Sequence, residues 1–428
     1  MNENSSYPSS DKSAPPRPYR WVVLIFISLA MFGNYYIYDA ISPLADVLVK
    51  QLNFTDSDIG LLQGIYSLPN IIMVLIGGFI IDRLGTKRST FIFAALCLLG
   101  AVITVADGSL FVMAAGRLVF GLGAESLIVA VTTAIAKWFK GKELSFAFGL
   151  NLTIARLGSF AALNSPSWAS EYYENWQAAL MISVVFGVVC VAGALIYWIL
   201  ESNAEKKYQI GTPGATDKVV FSDIWKFGVS YWYIVLLCIT FYSGIFPFQT
   251  FAVKFFIDAH GTTREMGGFL SSMLTLFAMI ATPLFGLLAD KIGKRSLLMM
   301  FGSLLLVPVY LMMAYTNVSL YVPMAMMGIA FSLIPGIMWP SVSYLVEESK
   351  LGTAYGLMTL IQNIGLAGFN FLIGWANDFS GASGENPGGY ALGMWIFSIL
   401  GFIGFLFAYL LRRRETGPHA HGLETIKA

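Results

Sequence analysis

Apolar runs of roughly twenty residues, set between short clusters of charge, recur twelve times along the chain. A run of about 20 residues at ~1.5 Å per residue is what an α-helix needs to cross the hydrocarbon core of a bilayer. The runs predict spans over 19–46, 57–81, 88–106, 109–136, 144–168 and 176–200, then 228–257, 265–289, 295–315, 318–345, 351–376 and 388–411. The one long polar interruption, 201–227, carries Lys206, Lys207, Gly211-Thr212-Pro213-Gly214 and Asp217-Lys218 and predicts a linker between two groups of six helices. The Ser- and Pro-rich segment 1–18 predicts a disordered polar tail rather than a cleavable leader, and 412–428 a second polar tail.

Composition strengthens this picture. Of the 428 residues, 57% are hydrophobic and 12% charged, about half the charge that covers a soluble surface. Net charge is +1, which offers no basic stripe for nucleic acid. The three cysteines, Cys97, Cys190 and Cys238, sit inside apolar runs and have no metal-binding spacing, and no phosphate loop or HExxH sequence is present. The sequence therefore predicts an all-α integral membrane protein that is not an enzyme and uses no cofactor. With both termini on the cytoplasmic side, 21 of the 26 Lys and Arg fall in cytoplasmic segments and only Lys50 and Arg264 in outer loops. That asymmetry obeys the positive-inside rule.

The two sets of six repeat one another. Gly78-Phe-Ile-Ile-Asp82-Arg83-Leu-Gly85 follows the second span, and Gly286-Leu-Leu-Ala-Asp290-Lys291-Ile-Gly293 follows the eighth, with Asp82 and Asp290 208 residues apart. Phe148-Gly149-Leu150 and Tyr355-Gly356-Leu357 recur at an offset of 207. Parallel repeats of this kind pack about an axis along the membrane normal and hold substrate between them near the midplane.

The Gly–acidic–basic loop after the second span resembles the signature loop of the major facilitator superfamily. Arg117-Leu-Val-Phe-Gly121-Leu-Gly123 resembles its second motif. Within that superfamily, Tyr38-Asp39, Tyr66-Ser-Leu-Pro69-Asn70, Phe120 through Leu127, Trp138 through Leu144, Ala155-Arg156-Leu-Gly158-Ser159, Phe246-Pro247-Phe248, Leu351 through Gly356 and Ile361-Gln362-Asn363 are similar to the lysosomal dipeptide transporter family. One departure is Gly123-Ala124-Glu125-Ser126 where the family has Gly-Gly-Glu-Ser. The N-terminal segment has no acidic dileucine sorting signal, so the expected location is a bacterial plasma membrane, with a lysosomal membrane as the alternative. A monomer without an accessory subunit is expected.

Ionisable groups inside spans carry the most information, because each is costly in hydrocarbon. Glu125 and Arg156 fall near mid-depth. They suit a water-filled cavity that holds the ammonium and carboxylate of a zwitterion, the guanidinium forking onto the carboxylate. A structural ion pair between neighbouring helices would explain them equally well. The resemblance implies that this Glu and Arg grip the two termini of a peptide. Arg117 reads as a packing and hydrogen-bonding group. Tyr38 and Asp39, toward the outer end of the first span, are candidate binding residues, and Lys254 is either one more or a side chain that snorkels outward. Trp339 beside Pro340, with Gln362 and Asn363, are the candidates for the cavity wall in the second half. Gly78, Asp82, Arg83, Gly286, Asp290 and Lys291 are assigned to conformational gating, the glycines allowing close helix approach.

Together these readings predict a dipeptide carrier that works by alternating access, most simply as a uniporter. A proton-coupled carrier of another small zwitterion or organic anion, and a non-transporting sensor, remain open alternatives.

Overall fold

The computed structural model describes residues 13–139, 143–211 and 221–426. Fifteen α-helices follow one another: α1 Arg17–Asp39, α2 Ala45–Leu52, α3 Asp56–Gly64, α4 Ser67–Leu84, α5 Thr86–Ala106, α6 Leu110–Phe139, α7 Leu144–Leu163, α8 Ser165–Trp168, α9 Trp176–Lys207, α10 Val229–His260, α11 Arg264–Ile292, α12 Arg295–Tyr315, α13 Tyr321–Leu345, α14 Leu351–Phe379 and α15 Ala391–Glu415. Among the described residues, eleven of these stretches are long and apolar enough to cross a bilayer, and a twelfth span is a pair bent by 58°, Asp56–Val74 and Ile76–Leu84. Since twelve spans return the chain to its starting side, both ends lie on one face, called here the terminal face. The opposite side is the far face.

Local chemistry explains where the helices stop. The first span does not run unbroken to residue 46: α1 ends at Asp39, a 3-10 turn follows at Ser42–Leu44, and α2 begins at Ala45. Pro43 lies in that turn, where its missing N–H and its ring would disrupt a continuing α-helix. Asn53 then takes a left-handed conformation (φ 56°), and Thr55 with Asp58 forms a reciprocal capping box that starts α3. The Asn175 side chain caps α9 by accepting from the amides of Gln177 and Ala178. The duplication shows in the loops as well. Gly85 (φ 79°) and Gly293 (φ 68°) each turn the chain after the repeated acidic loop, in a region that L-residues avoid.

The predicted linker is shorter in outline than the polar pattern suggested. Helix α9 runs on to Lys207 because its last turns are held by Lys137 and Lys87, which pair with Glu201 and Glu205. Residues 212–220, including Thr212-Pro213-Gly214 and Asp217-Lys218, lie outside the described residues, as do 1–12 of the predicted N-terminal tail. In the predicted C-terminal tail, 412–415 complete α15, and the following residues fold back onto the terminal face, with Leu423 fully buried.

The two halves meet tightly at the far face. Helix α14 packs against α3 so closely that a Cβ on Gly60 would sit 2.2 Å from the Asn370 carbonyl oxygen, and one on Gly374 2.2 Å from that of Asp56. Asp378 at the end of α14 accepts from the amides of Asp56 (2.8 Å) and Ser57 (2.7 Å), a carboxylate seated on the N-terminus of α3. Buried Lys254 of α10 pairs with Asp56 at 3.1 Å and with Asp258 at 3.3 Å, and Arg264 of α11 forks onto Asp46 of α2 at 2.6 Å. Lys254 thus neither snorkels outward nor faces the central cavity. It ties the far ends of the two halves together.

Candidate binding site between the halves

Inside this seal, at mid-depth, lies a cavity of about 270 Å³. The first half contributes Tyr35, Tyr38 and Asp39 from α1, Tyr66 from the break between α3 and α4, Glu125 from α6, and Arg156 with Ser159 from α7. The second half contributes Tyr242, Phe246 and Gln249 from α10, Phe331 and Trp339 from α13, and Gln362 from α14. A second chamber of about 460 Å³ shares Glu125, Ile128 and Thr359 with the first. It extends along α6 through Thr132 and Ala136, and along α14 to Gly352, the second residue of that helix on the terminal side.

Glu125 is the sixteenth of the thirty residues of α6, and Arg156 the thirteenth of the twenty of α7, so both lie near the middle of their spans. Among the described residues neither makes an ion pair within 4 Å, to the other or to any other group. The Arg156 Nε is buried with no hydrogen-bond partner, and the guanidinium lies 5.0 Å from the centre of the Phe331 ring, a cation–π contact reaching across to the other half. Two opposite charges at this depth without an ion-pair partner among the described residues are an expensive arrangement. A cavity that admits water lowers that cost.

Arg117 shows the contrast. It is 2% exposed and donates to the carbonyl oxygens of Ile37 (3.1 Å), Leu62 (3.1 Å) and Tyr38 (3.3 Å) and to the Gln63 side chain (3.1 Å). Ile37 and Tyr38 are in the last turn of α1, where carbonyls have no intrahelical partner. Arg117 therefore caps α1 from within the bundle, in the packing role its sequence context suggested. Replacing Arg117 with Ala is expected to destabilise the empty protein by roughly 3 kcal/mol, since several buried acceptors would be orphaned at once. A thermal unfolding scan in detergent checks this, and a melting point equal to the parent's would refute it.

Of the other candidates, Tyr38, Asp39, Trp339 and Gln362 line the cavity. The Trp339 indole donates to the Tyr242 hydroxyl at 3.0 Å and stacks on Tyr355, so its orientation is set by two neighbours. Asn363 does not line the cavity. It is fully buried, donates to the Thr359 carbonyl (3.0 Å) and accepts from Asn70 (3.3 Å), because one step along α14 from Gln362 turns the side chain by ~100° into the α4 contact.

The gating candidates also divide. Gly78 lines the second chamber, and Asp82 and Arg83 are exposed at the terminal end of α4. Gly286 is not at a close helix approach, since a Cβ there would meet nothing within 4 Å. Asp290 pairs with Arg295 of its own loop at 2.8 Å, and Lys291 is exposed. Tyr66, Tyr242, Gln249 and Phe331 belong to the cavity wall although sequence reasoning did not select them. The signal available for them was thin. Tyr66 lies in a resemblance-bearing stretch, but the rotation of an almost uniformly apolar helix cannot be read from its sequence.

The family model described as Major Facilitator Superfamily matches this chain over residues 27–369 and 248–427. The chain is 34% identical over 380 residues to the lysosomal dipeptide transporter MFSD1 of Danio rerio, covering 85% of this chain and 82% of that protein. Against MFSD1 of Homo sapiens the identity is 31% over 399 residues, covering 87% and 86%. Among solved structures, an inward-facing bacterial homologue of the human lysosomal transporter Spinster superposes with a TM-score of 0.71 over 93% of this chain and 98% of its own, at 17% identity. At that identity the superposition speaks for the fold alone. A duplicated six-helix bundle, a central cavity lined from both halves and relatives matched over most of their length converge: this chain is a membrane transporter of the major facilitator superfamily, and belongs to the family that includes the MFSD1 proteins.

Proposed function

We propose that the protein carries dipeptides across the membrane by alternating access, holding the peptide ammonium on Glu125 and the carboxylate on Arg156. The observation that carries this reading is that both charges face one cavity, that neither has an ion-pair partner among the described residues, and that the Arg156 Nε is buried without a hydrogen-bond partner. Relatives named as dipeptide transporters support the same substrate class. The aromatic wall of Tyr35, Tyr38, Tyr242, Phe246, Phe331 and Trp339 offers apolar surface to varied side chains while the charged ends fix the backbone.

Uniport is the simplest cycle for such a site, since the substrate itself neutralises both charges. The cation distribution supports cytoplasmic termini, so the second chamber leads toward the cytoplasm. A bacterial plasma membrane is the first reading of location, and the relatives' names favour a lysosomal membrane as the second. A monomer needing no accessory subunit completes the proposal.

Purified protein should gain thermal stability from many unrelated dipeptides, as any ligand specific to the folded state raises the melting point by mass action. N-acetylated or C-amidated forms should give no shift, and tripeptides a smaller one. Equal stabilisation by blocked peptides would rule out recognition of the termini. In vesicles, dipeptide should equilibrate without a pH gradient, and accumulation driven by protons would overturn uniport.

A further inference from the structure

The segment after α15 does more than leave the membrane. It runs alongside the loop between α11 and α12, the second copy of the repeated acidic loop. The amides of Lys294 and Arg295 donate to the carbonyl oxygens of Glu424 (3.2 Å) and Leu423 (3.1 Å). The Glu424 carboxylate accepts from the Ser296 amide at 2.9 Å and from the Ser296 hydroxyl. Arg295, 2% exposed, donates to the Ile426 carbonyl at 2.6 Å while its other nitrogen holds Asp290, and its guanidinium lies over the Tyr344 ring at the end of α13. A Cβ on Gly293 would stand 3.0 Å from the Glu424 carbonyl oxygen. The fold-back is anchored behind by His421, whose amide and ring nitrogen meet the buried Glu415 carboxylate.

Helix α12 needs this help. Its own N-cap residue, Lys294, is left-handed (φ 50°) and gives no side-chain cap, so the first amides lack an acceptor within the helix. In the first half the equivalent loop is tied down from α9: Glu201 accepts from the Thr86 hydroxyl and Glu205 pairs with Lys87. Thr86 and Lys294 are 208 residues apart, the spacing of the duplication. In the second half the carboxylate at the end of α15, Glu415, is taken up by Ser230 and His421, and Glu424 supplies the tie instead.

We propose that residues 417–426 are a strap that caps α12 and clamps the terminal ends of α11, α12 and α13 together, so that the second bundle rocks as one body and the rate of conformational exchange depends on the strap. A carboxylate aimed at helix N-terminal amides stabilises by both hydrogen bonding and the helix dipole. Its loss should therefore loosen the loop without touching the central cavity.

Amide hydrogen exchange on the full chain, on Glu424→Ala and on Leu423→Asp tests the clamp, with residues 86–90 as the internal control. Exchange at 294–298 should quicken by roughly fivefold in both variants, with the control unchanged. Unchanged exchange at 294–298 in both would overturn the strap. Counterflow of dipeptide tests the coupling, and only this arm rests on the dipeptide reading: the rate should fall severalfold while the ligand concentration giving half the thermal shift stays as in the parent. Quickened exchange with an unaltered transport rate would overturn the coupling. The exchange arm needs no substrate, so failure of the strap and failure of the dipeptide reading are told apart.

Discussion

Removing either charge of the central pair should leave the empty protein folded and weaken its response to dipeptide at least tenfold. A carboxylate or guanidinium that meets a substrate terminus makes a charge-assisted bond, worth about 1.5–3 kcal/mol, or about ten- to a hundredfold in affinity. Glu125→Ala or Arg156→Ala should therefore raise the dipeptide concentration needed for half the thermal shift at least tenfold. The empty variants should melt close to the parent, because neither side chain has an ion-pair partner among the described residues and water in the cavity solvates whichever charge remains. A buried structural bridge behaves otherwise, losing roughly 3–5 kcal/mol when one partner is removed. Large melting losses in both empty variants, with the dipeptide response kept, would return Glu125 and Arg156 to the scaffold. Arg117→Ala serves as the internal contrast, since that guanidinium is fully engaged by protein acceptors.

Breaking the lock at the far face should open the site to that side. Lys254 is held by Asp56, Asp258 and the Tyr390 hydroxyl, so Lys254→Met removes the cation that buried Asp56 and partly buried Asp258 share in the closed arrangement and leaves them only the neutral donors Asn377 and Tyr390. The penalty, roughly 3–5 kcal/mol, falls on the state in which the far ends are packed and is relieved when they part. A population held closed would shift toward far-side opening by about a hundredfold at the lower end of that range and by several thousandfold at the upper end. The three native cysteines are buried, so Gln249→Cys, at a cavity position now 4% exposed, gives a single reporter for an impermeant thiol reagent. Labelling from the far side should be much faster with Lys254→Met than without it. Neutralising Asp56 and Asp258 as well should slow it again, because the stranded charges are gone. Labelling no faster in Lys254→Met than in its parent would exclude Lys254 as the lock.

The sequence by itself determined the architecture. Span number, duplication and the shared side of the termini follow from the length of the apolar runs, the positions of cations and two repeated loops, all local or periodic features that one chain displays openly. It also singled out Glu125 and Arg156, because a charge inside an apolar run is conspicuous whatever the packing. What it could not determine was rotation and partnership. Lys254 and Arg156 look alike in sequence, each a lone cation in a span, yet one is paired across the far seal and the other faces the cavity unpaired. Gln362 and Asn363 are neighbours, but ~100° of helix rotation sends one to the cavity and the other into a helix contact. The polar segment after α15 has the composition of a free tail, yet its Glu424 carboxylate meets the first turn of α12, a helix with no side-chain cap from its own N-cap residue. Each of these outcomes depends on which surface a side chain meets across tens to hundreds of residues, and only the packed tertiary structure supplies that.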